Sequence, residues 1–439
     1  MTDIINFEIK PGGVLRGELR VPGDKSISHR SVMLGSLANG VTEVDGLLEG
    51  DDVMATIGAF KAMGVQMEGP DHGHLVIHGV GMKGLKPPVE DLDMGNSGTA
   101  MRLMSGVLAG QDFDSVLIGD ASLSKRPMAR VTEPLALMGA SIETEEGGRP
   151  PLRIQGGSQL NGITYDLPMA SAQVKSCLLL AGMYADGATT VTEPAPTRDH
   201  TERMLQGFGY AVETRGSSMS LNGGGSLSAC KIDVPADISS ATFFMVGAAM
   251  TPGSDLLLKH VGINPTRIGV LNILHLMGGD LELLNERTVG GEPVADIHVR
   301  GTRLKGIQVP EEQVPLAIDE FPMLFVAAAC AEGETRISGA EELRVKECDR
   351  ISVMVEGLQA LGVAIEEKPD GAVIQGGAIY GGEVHSRDDH RIAMAFSMAA
   401  LHADSPITIH DCANVATSFP SFAELAQEAG LHLAVSTVK

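Results

Sequence analysis

The sequence predicts a two-domain α/β protein, and three observations carry that prediction. The chain has 439 residues, too many for one ordinary core, so two domains are expected, each with its own interior. A strand, a polar loop, a helix, a small-residue stop and another strand recur six times along it. A second, more apolar helix pattern precedes each recurrence, which gives most simply three repeated units per domain.

The first copy reads TEVDGLLEGDDVMATIGAFKAMGVQME (42–68), and the others occupy 115–143, 189–213, 256–283, 334–366 and 406–434. Each of their helices is expected to stop at a glycine: Gly64, Gly139, Gly209, Gly278, Gly362 and Gly430. The preceding helices begin at DKSISHR, NSGTAMR, SAQVKSC, SSATFFM, DEFPMLF and DDHRIAM. They are small, apolar and rich in glycine and alanine, as buried helices packed closely on one another would be. The chain is expected to cross between domains near Val21–Asp24 and Val234–Ser239, where VPGDKS and VPADIS read alike. That places residues 1–21 with 237–439 in domain 1, and 22–236 in domain 2.

Composition narrows the function. Hydrophobic residues at 43% and charged residues at 20% describe a globular protein, and a formal net charge of -23 argues against a general nucleic-acid surface. Aromatics are 3% and Trp is absent, so stacking platforms for bases or sugars are not expected. Five widely spaced cysteines with no CxxC support neither a disulfide framework nor a zinc site, and a reducing cytoplasm fits them. No signal pattern opens the chain and no run reaches membrane-spanning length. The histidines do not gather at metal-ligand spacing. No GxxxxGK[ST], strand-to-helix GxGxxG or GxSxG occurs. No metal, nucleotide cofactor or serine-hydrolase site is therefore expected.

Against this acidic background, three basic residues, Lys25, His29 and Arg30, sit in the first turns of one apolar helix. A helix start already carries partial positive charge, so cations there call for an anion. Lys25, Ser26 and Arg30 offer point charge, hydroxyl and planar fork, a set that suits phosphate or carboxylate, though a solvated helix start would look the same. Asn96-Ser97-Gly98-Thr99 opens the next helix with small groups, either an ordinary cap or a place where a ligand approaches the backbone. Arg126 in KRPM could clamp a carboxylate. Ser171, Gln173 and Lys175 in ASAQVKS suit a polyhydroxylated ligand or plain capping, and Arg198 lies in a loop. Asp319 and Glu320 stand at the start of a very apolar helix, as a cap or as a general base over a substrate hydroxyl. Lys346 and Arg350, four apart, are expected on one helical face with Glu347 between them, and Asp389, His390 and Arg391 open the last apolar helix.

The runs PGDKSISHR, GNSGTAMRL, SKRPM, PMASAQVKSCLLLAG, PAPTRDHTERML, IDEFPML, RVKECDRI, DDHRIAMAF and TSFP, in this order, resemble the enolpyruvyl transferase family of 3-phosphoshikimate 1-carboxyvinyltransferase (EPSP synthase). The resemblance runs over nearly the whole chain. It implies a two-domain inside-out α/β barrel, each domain of three βαβαββ-like units with buried parallel helices and the site in the cleft between domains. It implies transfer of the enolpyruvyl group of phosphoenolpyruvate to the 5-hydroxyl of shikimate 3-phosphate, releasing phosphate on the way to chorismate and aromatic amino acids.

Carried onto matching positions, the resemblance implies that Lys25, Ser26, Arg30, Ser171, Ala172, Gln173, Arg198, Asp319 and Lys346 contact shikimate 3-phosphate. Lys25, Asn96, Gly98, Arg126, Gln173, Arg350 and Arg391 are implied to contact phosphoenolpyruvate. Asp319 is implied to accept the 5-hydroxyl proton, with Glu347 and Lys25 moving a proton onto and off the enol methylene. No cofactor is expected, no nucleic-acid or membrane partner, and a monomer in the cytoplasm. In the family, a side chain at the Gly98 position crowds the phosphoenolpyruvate pocket and excludes the inhibitor glyphosate, so this chain is expected to be inhibited by it. The chain departs from the pattern at Thr417, where many members have Lys (KTSFP, AKTFP). The sister transferase acting on UDP-N-acetylglucosamine carries a Cys in the loop where SLSKRPM stands, and this chain has none there. A noncatalytic anion-binding scaffold on the same repeats would need neither Asp319 nor Glu347. Each half alone is expected to present uncompensated charge of one sign, which substrate would neutralise.

Overall fold

The computed structural model describes residues 4–438, a mixed α/β chain of twelve α-helices and six small sheets among those residues. In the first half the helices are α1 (Lys25–Leu37), α2 (Asp51–Ala62), α3 (Gly98–Leu108), α4 (Ala129–Leu137), α5 (Ala172–Gly182) and α6 (His200–Gly207). In the second half they are α7 (Ile238–Met250), α8 (Gly269–Leu276), α9 (Phe321–Cys330), α10 (Arg350–Ala360), α11 (His390–Ala399) and α12 (Phe422–Ala429).

Odd- and even-numbered helices do different work. The odd ones are apolar nearly all round, which suits a helix only when its whole surface is buried. Every residue of α7 and of α11 is buried. Five of the six odd helices start at an Asp or Ser side-chain cap that satisfies an otherwise orphaned backbone N–H: Asp24 for α1, Ser97 for α3, Ser171 for α5, Asp237 for α7 and Asp389 for α11. The even helices are amphipathic and lie outside. Beyond their last turns stand Gly64, Gly139, Gly209, Gly278, Gly362 and Gly430, with φ of +89°, +102°, +81°, +84°, +85° and +112°. A side chain is strained at such φ, so glycine ends all six helices for one reason.

The sheets repeat one pairing. The strand that follows a buried helix pairs antiparallel with a second strand, which pairs antiparallel with a third. A further strand lies parallel to the first on its other side, as Leu92–Asp93 does beside Ser115–Ile118. The last sheet is completed by the start of the chain: Ile4–Ile9 lies between Ile407–His410 and Leu433–Val438, with Phe7 opposite both Ile409 and Val435. Each sheet is an open run of three to five strands, and none of them closes into a barrel.

The chain divides into two compact units. Unit 2 is Gly23–Val234 with Val289–Glu292, and unit 1 is the chain through Pro22 with Pro235–Thr288 and everything from Pro293. Each has its own apolar core. In unit 2, α1, α3 and α5 supply Val32, Met104 and Leu178. In unit 1, α7, α9 and α11 pack on one another and supply Phe244, Phe325 and Phe396. Phe7, Phe244, Phe419 and Phe422 form an aromatic knot within that core, with Phe419 edge-on to Phe422 at 5.5 Å between ring centres. Among the described residues no helix is long and apolar enough to cross a membrane.

Candidate active site

In unit 2 the chemistry-bearing residues gather at the starts of α1, α3 and α5. Asp24 caps α1 by accepting from the Ile27 N–H at 2.8 Å, and Lys25 then extends its ammonium to within 3.0 Å of Asp52 in the first turn of α2. Arg30 is buried. Its Nε donates to Thr201 Oγ1 at 2.6 Å, Nη1 to the Ser26 carbonyl at 2.8 Å and Nη2 to Ser176 Oγ at 2.8 Å. Burial pulls its pKa down to about 10 while Glu202 and Asp24 push it back, so it stays charged at neutral pH.

His29 corrects the sequence reading. Burial, with Lys25 and Arg30 nearby, lowers its pKa to about 3, so it contributes no positive charge to the helix start. Thr56 Oγ1, 2.8 Å from His29 Nδ1, donates to the Asp52 carbonyl at 3.4 Å and is therefore free to accept from the ring. His29 Nε2 faces Ser97 Oγ at 3.5 Å, beneath the start of α3. It is a neutral strut, not a cation.

At the start of α3, Gly98 sits under two guanidiniums. A Cβ there would lie 3.0 Å from Arg102 Nη1 and 3.3 Å from Arg126 Nη1. Arg126 Nη2 donates to Asn96 Oδ1 at 2.7 Å, and Asn96 Nδ2 to Asp120 Oδ2 at 2.7 Å. Gln173 joins α3 to α5: its Oε1 accepts from Arg102 Nη1 at 2.6 Å and its Nε2 donates to Thr99 Oγ1 at 2.9 Å. Ser171 caps α5 and Ala172 opens it. Arg198 lies in the loop before α6, close enough to Arg30 for their charges to repel. Lys175 is elsewhere: its ammonium is buried between Glu193 and Glu202 at 3.0 and 2.8 Å, out of reach of any ligand at the helix starts.

In unit 1 the cluster is built around Arg350, which is 2% exposed. Its Nε meets Asp389 Oδ2 at 2.7 Å, Nη2 meets Glu347 Oε2 at 2.6 Å and Nη1 lies 3.4 Å from Asp319 Oδ1. Burial works against its charge, but Asp389, Glu347 and Asp319 outweigh that and raise its pKa. Asp319 also faces Arg391 Nη2 at 3.8 Å and Lys346 Nζ at 3.9 Å, and the Arg391 guanidinium donates to the Asp319 carbonyl at 3.3 Å. Three carboxylates thus meet three cations. The expectation that this half alone would present charge of one sign is overturned. A second correction concerns Lys346. It precedes α10 in an extended conformation while Arg350 is that helix's first residue, so the two share no helical face and meet only through Asp319. Thr417 turns back on its own turn, donating to the Asn414 carbonyl at 2.7 Å.

Two residues at these clusters escaped the sequence reading. Arg102 follows Gly98 by four, one helical turn away on the same face, and that spacing was a usable signal. Asp52 was hidden because an acid in a first turn is ordinarily explained by the helix dipole, and its partner is 27 residues away. One group of metal-ligand types converges among the described residues, Asp199, His200 and Glu292 within 4.8 Å. His200 Nδ1 is there paired with Glu292 at 2.8 Å and Asp199 with Arg203 at 2.8 Å, which accounts for the cluster without an ion.

Guanidiniums aimed over a side-chain-free helix start, and carboxylates held among cations at another, define a class: an enzyme that handles small anions with acid–base groups at hand. The comparisons are specific. The family model of EPSP synthase (3-phosphoshikimate 1-carboxyvinyltransferase) matches residues 9–425. A Methylococcus capsulatus 3-phosphoshikimate 1-carboxyvinyltransferase is 66% identical over 98% of this chain and 98% of its own. A Hydrogenovibrio crunogenus protein of the same description is 64% identical over 99% of each. The structure of EPSP synthase from Acinetobacter baumannii superposes with a TM-score of 0.90 at 60% identity, covering 98% of this chain and 100% of that one. The chain belongs to the EPSP synthase family.

Proposed function

We propose that the chain performs the family's reaction with the residues gathered at these helix starts. It is an enolpyruvyl transferase: phosphoenolpyruvate and shikimate 3-phosphate give 5-enolpyruvylshikimate 3-phosphate and phosphate. The observation that carries the residue assignment is Asp319, a carboxylate faced by Lys346, Arg350 and Arg391 at the start of a wholly apolar helix. Asp319 accepts the proton of the 5-hydroxyl, and the oxygen forms its bond to C2 of phosphoenolpyruvate as a proton reaches C3. Glu347 and Lys25 deliver that proton and take one back as the C2–O bond to phosphate breaks. The hydroxyl proton held by Asp319 leaves with the departing phosphate, which returns every acid–base group to its starting state.

Arg126, Arg350 and Arg391, with Lys25, Asn96, Gly98 and Gln173, hold phosphoenolpyruvate. Lys25, Ser26, Arg30, Ser171, Ala172, Gln173, Arg198, Asp319 and Lys346 hold shikimate 3-phosphate. Planar forks suit carboxylate and phosphate bidentately. Arg30 brings little freedom to this task, since three of its donors are already engaged within unit 2. Thr417, its hydroxyl bound to its own turn, does not replace the lysine common at that place, and the three arginines carry the charge. Each unit is read as one half of an inside-out α/β barrel around its buried helices, and the chain as a cytoplasmic monomer.

Asp319→Ala tests the assignment. Shikimate 3-phosphate binding by calorimetry within a few-fold of wild type, with phosphate release lost, is the expected result. A variant that still turns over normally would remove Asp319 from the base role.

A further inference from the structure

Lys175 is a buried cation that the reaction does not use. Its side chain is 1% exposed on α5, two residues past Gln173, and its ammonium meets Glu193 Oε2 at 3.0 Å and Glu202 Oε1 at 2.8 Å. A buried ammonium is costly unless well paired, and two carboxylates hold it here. Glu193 then turns both oxygens to one residue: Oε1 accepts the Thr197 N–H at 3.2 Å and Oε2 accepts its hydroxyl at 2.6 Å.

Thr197 is the neighbour of Arg198. The segment between Glu193 and α6 has no regular secondary structure and contains Pro194 and Pro196, which have no N–H to anchor it. The Glu193–Thr197 pair supplies the missing anchor on one side of Arg198. On the other side Thr201, at the start of α6, is fixed by Arg30 and donates to Ser176 Oγ at 2.7 Å. Lys175 and Ser176 are adjacent on α5, so Arg198 is tied to that one helix from both directions.

We infer that Lys175, Glu193 and Thr197 are positioning residues that fix the backbone carrying Arg198, and so set the affinity for shikimate 3-phosphate without touching it. This rests on the reading of Arg198 as a shikimate 3-phosphate contact. The inference separates a substrate-specific effect from general loosening, because nothing in the chain from Lys175 to Thr197 touches Arg102, Arg126 or Asp319 in the hydrogen bonds and ion pairs described.

The test is steady-state kinetics of Thr197→Val, Thr197→Ser, Glu193→Gln and Arg198→Ala, with melting temperatures. Thr197→Val removes one hydrogen bond and should raise KM for shikimate 3-phosphate roughly fivefold, the equivalent of about 1 kcal/mol. Its kcat, KM for phosphoenolpyruvate and melting temperature should stay near wild type, Thr197→Ser should restore the KM, and Glu193→Gln should follow Thr197→Val. If Arg198→Ala raises that KM while Thr197→Val does not, the positioning inference is wrong and the site reading stands. A parallel rise in both KM values in Thr197→Val would equally overturn it. If Arg198→Ala leaves the KM unchanged, the reading of Arg198 itself fails.

Discussion

Arg350 Nε and Asp389 Oδ2 lie 2.7 Å apart, at 2% and 0% side-chain exposure, and Asp389 at the same time caps α11 by accepting from the Arg391 N–H at 2.9 Å. One carboxylate therefore holds the Arg350 guanidinium directly and fixes the backbone from which Arg391, the other arginine assigned to phosphoenolpyruvate in unit 1, projects. Asp389→Ala removes a fully buried counter-charge of a buried arginine together with a helix cap. Glu347 and Asp319 still face Arg350, so the loss should fall at the low end for a broken buried pair, about 3 kcal/mol. Denaturant titration measures it, and a loss under 1 kcal/mol would show that the other two carboxylates suffice.

Gly98→Ala should leave the fold intact and change the ligand. The new Cβ presses only on the ends of two flexible side chains, Arg102 at 3.0 Å and Arg126 at 3.3 Å. KM for phosphoenolpyruvate should rise several-fold and the glyphosate concentration for half inhibition should rise more. Inhibition unchanged from wild type would remove Gly98 from the pocket.

Arg126→Lys keeps the charge but not the fork that reaches Asn96 at 2.7 Å. Phosphoenolpyruvate affinity should fall about tenfold, near 1.4 kcal/mol, with shikimate 3-phosphate affinity nearly unchanged. Unchanged phosphoenolpyruvate affinity would place the substrate elsewhere.

His29 makes stability depend on pH. Its folded pKa of about 3 lies below the ordinary 6.5, so the unfolded chain takes up a proton first as pH falls. The folded state loses stability from pH 6.5 downward, and the loss is complete only near pH 3. Between pH 6.5 and 5 this amounts to about 2 kcal/mol, a slope that His29→Gln should abolish over that interval. Parallel stability–pH curves for wild type and variant would exclude the effect.

All five thiols are pushed above their ordinary pKa by burial, Cys177, Cys330 and Cys412 to about 12, and Cys348 further by the Asp389 and Glu347 carboxylates beside it. Thiolate is the reactive form. At pH 8 the native protein should keep its activity in iodoacetamide over a period that fully alkylates the unfolded chain. Rapid inactivation, mapped by mass spectrometry to Cys348, would contradict this.

The repeat was legible because it is written in local terms: apolar helices with short polar caps, and a glycine after each outer helix. The six glycines foreseen as stops all have positive φ. The sequence could not show which polar groups are consumed by their neighbours. His29 and Lys175 look like ligands in a string of letters. Burial makes one neutral, and Glu193 with Glu202 occupies the other. Lys346 and Arg350 looked like a helical pair because spacing alone does not reveal that a helix starts between them. Arg102, by contrast, was within reach of the same spacing rule applied to Gly98.

The most direct measurement is phosphate release by the purified wild-type protein with phosphoenolpyruvate and shikimate 3-phosphate, alone and together, with the organic product followed by mass spectrometry. Release should require both substrates and match, one for one, the appearance of 5-enolpyruvylshikimate 3-phosphate. Release from phosphoenolpyruvate alone, or tight binding of both substrates with no product, would contradict an enolpyruvyl transfer carried by Asp319 and the arginines around it.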